Sequence, residues 1–218
     1  LLSGGNKDMP IEKNLDDILN TKSKVKILRL FTSRTSDFMA SGREIAALIG
    51  VSPPAAHSAL KELYNLNILK REIIGKQHLY KINSSNRTVK DILQPAFRKE
   101  VLIKEDIKNF LLKKIKDYKI GPSIVSLIFY GSITKGKTHQ NSDCDVAVIT
   151  KDSFSKKRTE DVFIGKIYSD FYKYFGFSLD TYIKTLKEFR ARRDRNLTPV
   201  SALMKSYNVI YGVDPHRL

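Results

Sequence analysis

The sequence predicts an α+β chain of two domains: a helical first part closed by a β-hairpin, and a second part with a mixed sheet flanked by helices. Three observations carry this. Capped amphipathic helices lead into two short strands around Gly75-Lys76, and a basic amphipathic helix opens the remainder. Apolar strands then alternate with helical spacing as far as the end of the chain. The domains are expected over 1–96 and 97–218, a comfortable division of 218 residues. With 41% hydrophobic and 28% charged residues, neither a disordered tail nor a collagen-like fibre fits.

The formal charge of +16 is spread over both parts, with 15 basic against 9 acidic residues in 1–97 and 24 against 14 in 98–218. Such a surplus suits phosphate-bearing partners and disfavours polycationic small molecules as substrates. The single cysteine, Cys144, cannot form an internal disulfide, and no Cys/His cluster has zinc-site spacing. No apolar run approaches membrane-spanning length and residues 1–5 lack the features of a signal peptide, so no membrane partner and a cytoplasmic location are expected.

Taking the elements in order, residues 15–31 place Leu15, Ile18, Leu19, Val25, Ile27, Leu28 and Phe31 at helical spacing, with a polar interruption at 20–23. Ser41 stands three residues before Glu44, a capping box opening a short helix that Gly50 stops. Ser52 caps the next helix, and Pro53 sits at its first position, where a missing N–H costs nothing. Strands over 68–74 and 77–82 make the hairpin. Helix, helix-turn-helix and hairpin in this order resemble the winged-helix domains of bacterial and archaeal transcription regulators, over residues 12–85. The resemblance implies DNA binding, with His57, Ser58 and Lys61 facing the major groove and Arg71, Lys76 and His78 of the hairpin meeting phosphates. It also implies a homodimer where an operator is palindromic.

A short helix over 89–93 is expected to stop near Pro95, and one basic amphipathic helix to run over 97–118. The informative stretch follows. An apolar strand at 126–130 runs into Gly131-Ser132, where glycine permits a tight turn and the turn's free N–H groups can hold phosphate oxygens. Ten residues separate Ser132 from Asp143. Asp143 and Asp145 then head a second apolar strand, and alternation puts their carboxylates on one face and Cys144 on the other. Two adjacent carboxylates need compensation, which Mg²⁺ with hard oxygen ligands supplies, particularly beside a bound triphosphate. An amphipathic helix over 161–175 and an alternating strand over 177–183 carrying Asp180 complete the pattern.

This run, Gly-Ser followed by Asp-x-Asp, resembles the nucleotidyltransferase superfamily that includes DNA polymerase beta, and especially its minimal members. Gly136 and Ser142-Asp143 stand at matching places, and 185–189 and 209–214 are similar to the family's closing helix and strand, so the likeness spans about 97–218. The resemblance implies Asp143, Asp145 and Asp180 as catalytic and metal-binding residues and Gly131 and Ser132 as nucleotide-binding ones, with Lys135 and Lys137 as loop contacts to the triphosphate. It implies two Mg²⁺ ions and ATP or another NTP as donor, transferring a nucleoside monophosphate to an acceptor hydroxyl. A protein acceptor such as a toxin is one possibility the family offers, although its antitoxin members are usually shorter. The alternative is a transcription regulator whose nucleotidyltransferase-like domain is an inactive nucleotide sensor. A dedicated polymerase is disfavoured, since too few residues follow Asp180 for a primer-template domain.

Overall fold

The computed structural model describes residues 13–75, 77–135 and 143–218. The chain divides into two compact units, with the division between Ile103 and Lys104.

The first unit begins with α1 (Lys13–Leu19) and α2 (Lys22–Thr32). The apolar run of 15–31 is thus two helices, because Thr21 adopts an extended conformation and accepts the Lys24 N–H at 3.2 Å, capping α2. Strand β1 (Ala40–Ser41) leads into α3 (Gly42–Ile49), whose capping box between Ser41 and Glu44 is closed from both sides. Gly50 ends α3 in the left-handed region at φ 61°. Ser52 caps α4 (Pro53–Asn65), accepting the Ala55 N–H.

Strands β2 (Leu69–Ile74) and β3 (Gln77–Ile82) form the hairpin, and β1 joins it to give an antiparallel sheet in the order β1-β3-β2. Helices α2, α3 and α4 with the hairpin as wing make this unit a winged helix. Its core gathers Ile18, Ile27, Leu28, Phe31, Ile45, Leu60, Leu63, Ile68 and Tyr80. Lys24 is buried with them, its ammonium bonded to the Asp17 carbonyl at 2.6 Å and Asn20 Oδ1 at 3.0 Å and paired with Glu62 of α4 at 2.5 Å. A buried charge is tolerated when paired and hydrogen-bonded in this way.

A wide helical turn over Val89–Leu93 does not stop at Pro95 but continues into α5 (Gln94–Val101), with Pro95 in the first turn of α5. The helix expected over 97–118 is two helices, α5 and α6 (Ile103–Asp117), broken at Leu102. The two segments serve different cores. Phe97 of α5 packs on the winged-helix core, and Glu100 receives both N–H groups of the Arg29 fork at 2.7 Å. Ile107, Leu111 and Ile115 of α6 are buried in the second unit, while Val101 between them is exposed. This places α5 in the first unit and moves the division past residue 96.

The second unit contains β4 (Ile124–Phe129), β5 (Cys144–Thr150), α7 (Ser153–Val162), α8 (Tyr168–Phe175), β6 (Leu179–Thr185), α9 (Leu186–Asp194), α10 (Val200–Leu203) and β7 (Asn208–Gly212). The sheet order is β6-β5-β4-β7, with β5 and β6 parallel and the other neighbours antiparallel. A parallel pair needs a crossover, supplied by α7 and α8 with a wide helical turn over Phe163–Ile167 between them. That turn shifts the apolar face: Phe163 is buried, whereas Ile164, which stands three residues before Ile167 and seven before Phe171 and so shares their helical spacing, is 68% exposed. On one sheet face Ile128, Ala147 and Ile149 pack against Phe189, Val200, Leu203 and Leu218. Phe110 of α6 meets Phe171 and Phe175 of α8 edge-on, with ring centroids 5.8 and 5.4 Å apart. Among the described residues no helix is long and apolar enough to cross a membrane.

Candidate active site

Strand β4 delivers Tyr130 and Gly131 to the sheet end at which β5 and β6 begin. The parallel register sets Asp145 directly beside Asp180. The Tyr130 N–H donates to the Asp145 carbonyl at 3.2 Å, so Tyr130, Asp145 and Asp180 form one row across three strands. Residues 131–135 form a 3₁₀ turn, and the Ser132 N–H donates to the Asp145 carboxylate. Gly131 has φ 70°, and a Cβ there would sit 2.1 Å from Asp145 Oδ2. No side chain fits that gap, so the glycine is what lets the turn close over the carboxylate. Thr134 Oγ1 donates back to the Gly131 carbonyl at 2.8 Å and lies 3.0 Å from Ser206 Oγ, tying the turn to the segment before β7.

Asp143 stands just before β5 and is exposed; its Oδ1 accepts a hydrogen bond from Ser178 Oγ. Ser178 also accepts the Cys144 N–H through its carbonyl at 2.9 Å, so one residue ties together the starts of both acid-bearing strands. Sequence reasoning passed over Ser178. Its one signal is the shared parity with Asp180, which the strand's alternation supplies. Among the described residues, no three His, Cys, Asp or Glu side chains are gathered as around a metal ion.

The carboxylates perturb one another. Burial raises the Asp145 pKa above the usual aspartate value, the charges of Asp180 and Asp143 add to the rise, and the Ser132 N–H opposes it. Burial also raises the Tyr130 phenol, with further contributions from Asp145, Asp180 and Tyr182. Cys144 is buried on the opposite face, its thiol pushed up to about 12 by burial and then by Asp145; it is a core residue and no nucleophile at neutral pH. Lys135 closes the 3₁₀ turn. Lys137 lies outside the described residues, as does Lys76 of the wing.

Residues 105–183 match the family model described as polymerase beta, nucleotidyltransferase. That segment forms a nucleotidyltransferase domain. It contains Gly131, Ser132, Asp143, Asp145 and Asp180, and its matched end falls within β6. Among solved structures, HlyU from Vibrio cholerae N16961 is similar at 16% identity and a TM-score of 0.36, the match covering 43% of this chain and 96% of that one. The antimony-specific transcriptional repressor AntR is similar at 21% identity and a TM-score of 0.35, over 48% of this chain and 91% of that one. A toxin-antitoxin structure with AMP-PNP is similar at 17% identity and a TM-score of 0.33, over 50% and 76%. No curated protein matches the chain.

In the winged-helix unit, His57, Ser58 and Lys61 are all exposed along α4, and Ser58 Oγ donates to Glu62 Oε1 at 3.0 Å. Arg71 and His78 are exposed on the hairpin. The Arg71 guanidinium stacks over the Tyr64 ring at 4.7 Å, joining wing to helix.

Proposed function

We propose that the nucleotidyltransferase domain transfers a nucleoside monophosphate, AMP from ATP in the first instance, to an acceptor hydroxyl, and that the winged helix binds DNA. The observation that carries the transfer reading is the register of Asp145 against Asp180 on adjacent parallel strands, with the Gly131-Ser132 turn closed over Asp145. Asp145 carries a carboxyl whose ionised form is disfavoured by burial and by two neighbouring acids, and hard oxygen donors so placed fit Mg²⁺. Asp143, Asp145 and Asp180 would hold it once triphosphate oxygens complete the shell, since the three are not themselves gathered as around an ion. When bound, Mg²⁺ neutralises triphosphate charge and polarises the α-phosphorus.

The chain's own groups then have distinct tasks. The 3₁₀ turn over 131–135 offers backbone N–H groups to the β- and γ-phosphate oxygens. Asp180, the exposed member of the row, takes the proton of the acceptor hydroxyl as its oxygen bonds to the α-phosphorus; the bond from that phosphorus to the bridging oxygen breaks, and pyrophosphate leaves. Lys135 and Lys137 are proposed as further phosphate contacts. His57, Ser58, Lys61, Arg71, Lys76 and His78 are the proposed DNA contacts, and a protein such as a toxin remains a candidate acceptor.

Label transfer from α-labelled ATP, with GTP, CTP and UTP in parallel, to whole-cell extract in Mg²⁺ tests this. A labelled product is expected with the wild type alone and none with Asp143→Ala/Asp145→Ala; equal labelling by the variant refutes the assignment. That the three carboxylates are not gathered as around a metal ion supports a second reading, a nucleotide sensor that binds without transfer, and ATP binding without labelling is its signature.

A further inference from the structure

Tyr182 lies two residues beyond Asp180 on the same strand and therefore on the same face of the sheet. Its register partner on β5 is Ala147, the smallest side chain of that row. Its ring packs with the cluster of Ile128, Tyr130 and Ala147. The Tyr182 hydroxyl is buried and has no hydrogen-bond partner among the described residues. Buried polar groups are nearly always paired, and an unpaired one is an unspent donor. Charges of both signs lie near it: the Lys184 ammonium is 5.4 Å from the ring centroid, and Arg192 and Glu188 act on the hydroxyl in opposite senses. The Tyr130 phenol senses Asp145, Asp180 and Tyr182 alike, so both phenols and both carboxylates occupy one region.

The order of strands says what this donor meets. Under the proposed transfer reading, on which this inference rests, the triphosphate lies on the turn after β4 and its α-phosphorus lies by the acids heading β5 and β6. The acceptor enters opposite the leaving pyrophosphate, on the Asp180 side, so the nucleoside attached to that phosphorus points at right angles to that line, along the face of β6 that carries Tyr182. We infer that Tyr182 is a nucleoside-binding residue, its hydroxyl donating a hydrogen bond to the sugar or base of the donor nucleotide.

The test is Tyr182→Phe, which removes the hydroxyl and keeps the ring. Calorimetric titration of Mg²⁺-ATP into the full chain should show affinity reduced about tenfold, the value of one hydrogen bond left unmade. The melting temperature without nucleotide should stay level or rise, because an unpaired buried hydroxyl is gone. Inorganic tripolyphosphate, which has no nucleoside, should bind wild type and variant alike. An equal loss for ATP, GTP, CTP and UTP places the contact on the sugar, and unequal losses place it on the base. Affinity within about twofold of wild type overturns the inference and leaves the transfer reading standing. A fall in melting temperature, or an equal loss with tripolyphosphate, also overturns it, by assigning the hydroxyl to the fold or to the phosphates. If the wild type binds no ATP, the transfer reading falls and takes this inference with it.

Discussion

Replacing Gly131 by alanine places two separate costs on one residue. The first is conformational: at φ 70° an L side chain meets its own backbone, at about 1–2 kcal/mol. The second is a collision, since the new methyl would lie 2.1 Å from Asp145 Oδ2, 2.8 Å from its Cγ and 3.2 Å from its Cβ. Relieving it moves the carboxylate by about 1 Å, a displacement that can cost about 100-fold in a reaction that depends on alignment. Gly176→Ala separates the two effects, because Gly176 has φ 76° in the same unit with nothing within 4 Å of the added methyl. Urea denaturation should show both variants destabilised by about 1–2 kcal/mol. Label transfer from ATP should fall about 100-fold in Gly131→Ala and stay near wild type in Gly176→Ala. Transfer by Gly131→Ala within about threefold of wild type would refute the claim that this glycine sets the Asp145 carboxylate.

Two further predictions address the electrostatics of each unit. The folded-state pKa of Asp145 is raised, so the native state binds more protons than the unfolded chain above the ordinary aspartate range, and Asp145 makes stability fall as pH rises through that window. Asp145→Asn should therefore melt higher than wild type at pH 7 without Mg²⁺ and lose this advantage near pH 3, while losing transfer; a lower melting temperature at pH 7 would contradict the burial argument. Arg71→Ala should weaken DNA binding similarly across sequences and reduce the salt slope by about one counterion, as measured by fluorescence anisotropy from low to moderate salt. An unchanged slope would remove Arg71 from the DNA interface.

Helix ends were the most legible part of the sequence. Ser41 with Glu44, and Ser52 with Pro53, announce α3 and α4 through contacts only three residues long, and both caps form as read. Boundaries set by distant packing were not legible. Leu102 continues an unbroken helical pattern, yet the chain breaks there because Phe97 and Ile107 belong to different cores. Ile164 has correct spacing for a buried position and is turned outward by a widened turn whose one local marker is Gly165. At the candidate site, the Asp143/Asp145 pair and the glycine are visible as a spacing, whereas the placing of Asp180 beside Asp145 requires two strands 35 residues apart to pair in register. Ser178, just before β6, and Tyr182 within it are ordinary residues until that pairing gives them neighbours.

The pairing of β5 with β6 makes one side of the sheet a ruler for the acids on the other. Leu179 and Ile183 are buried on one face of β6 while Asp180 faces the other way. Sliding β6 by one residue would set Leu179 or Thr181 opposite Asp145 and carry both apolar side chains onto the face where Asp180 and Tyr182 stand, out of the packing that buries them. The acids repel one another and would not choose this alignment unaided. Grease, rather than chemistry, keeps the carboxylates level, so a substitution at Leu179 or Ile183, remote from any phosphate, can misalign the site as surely as one at Asp180.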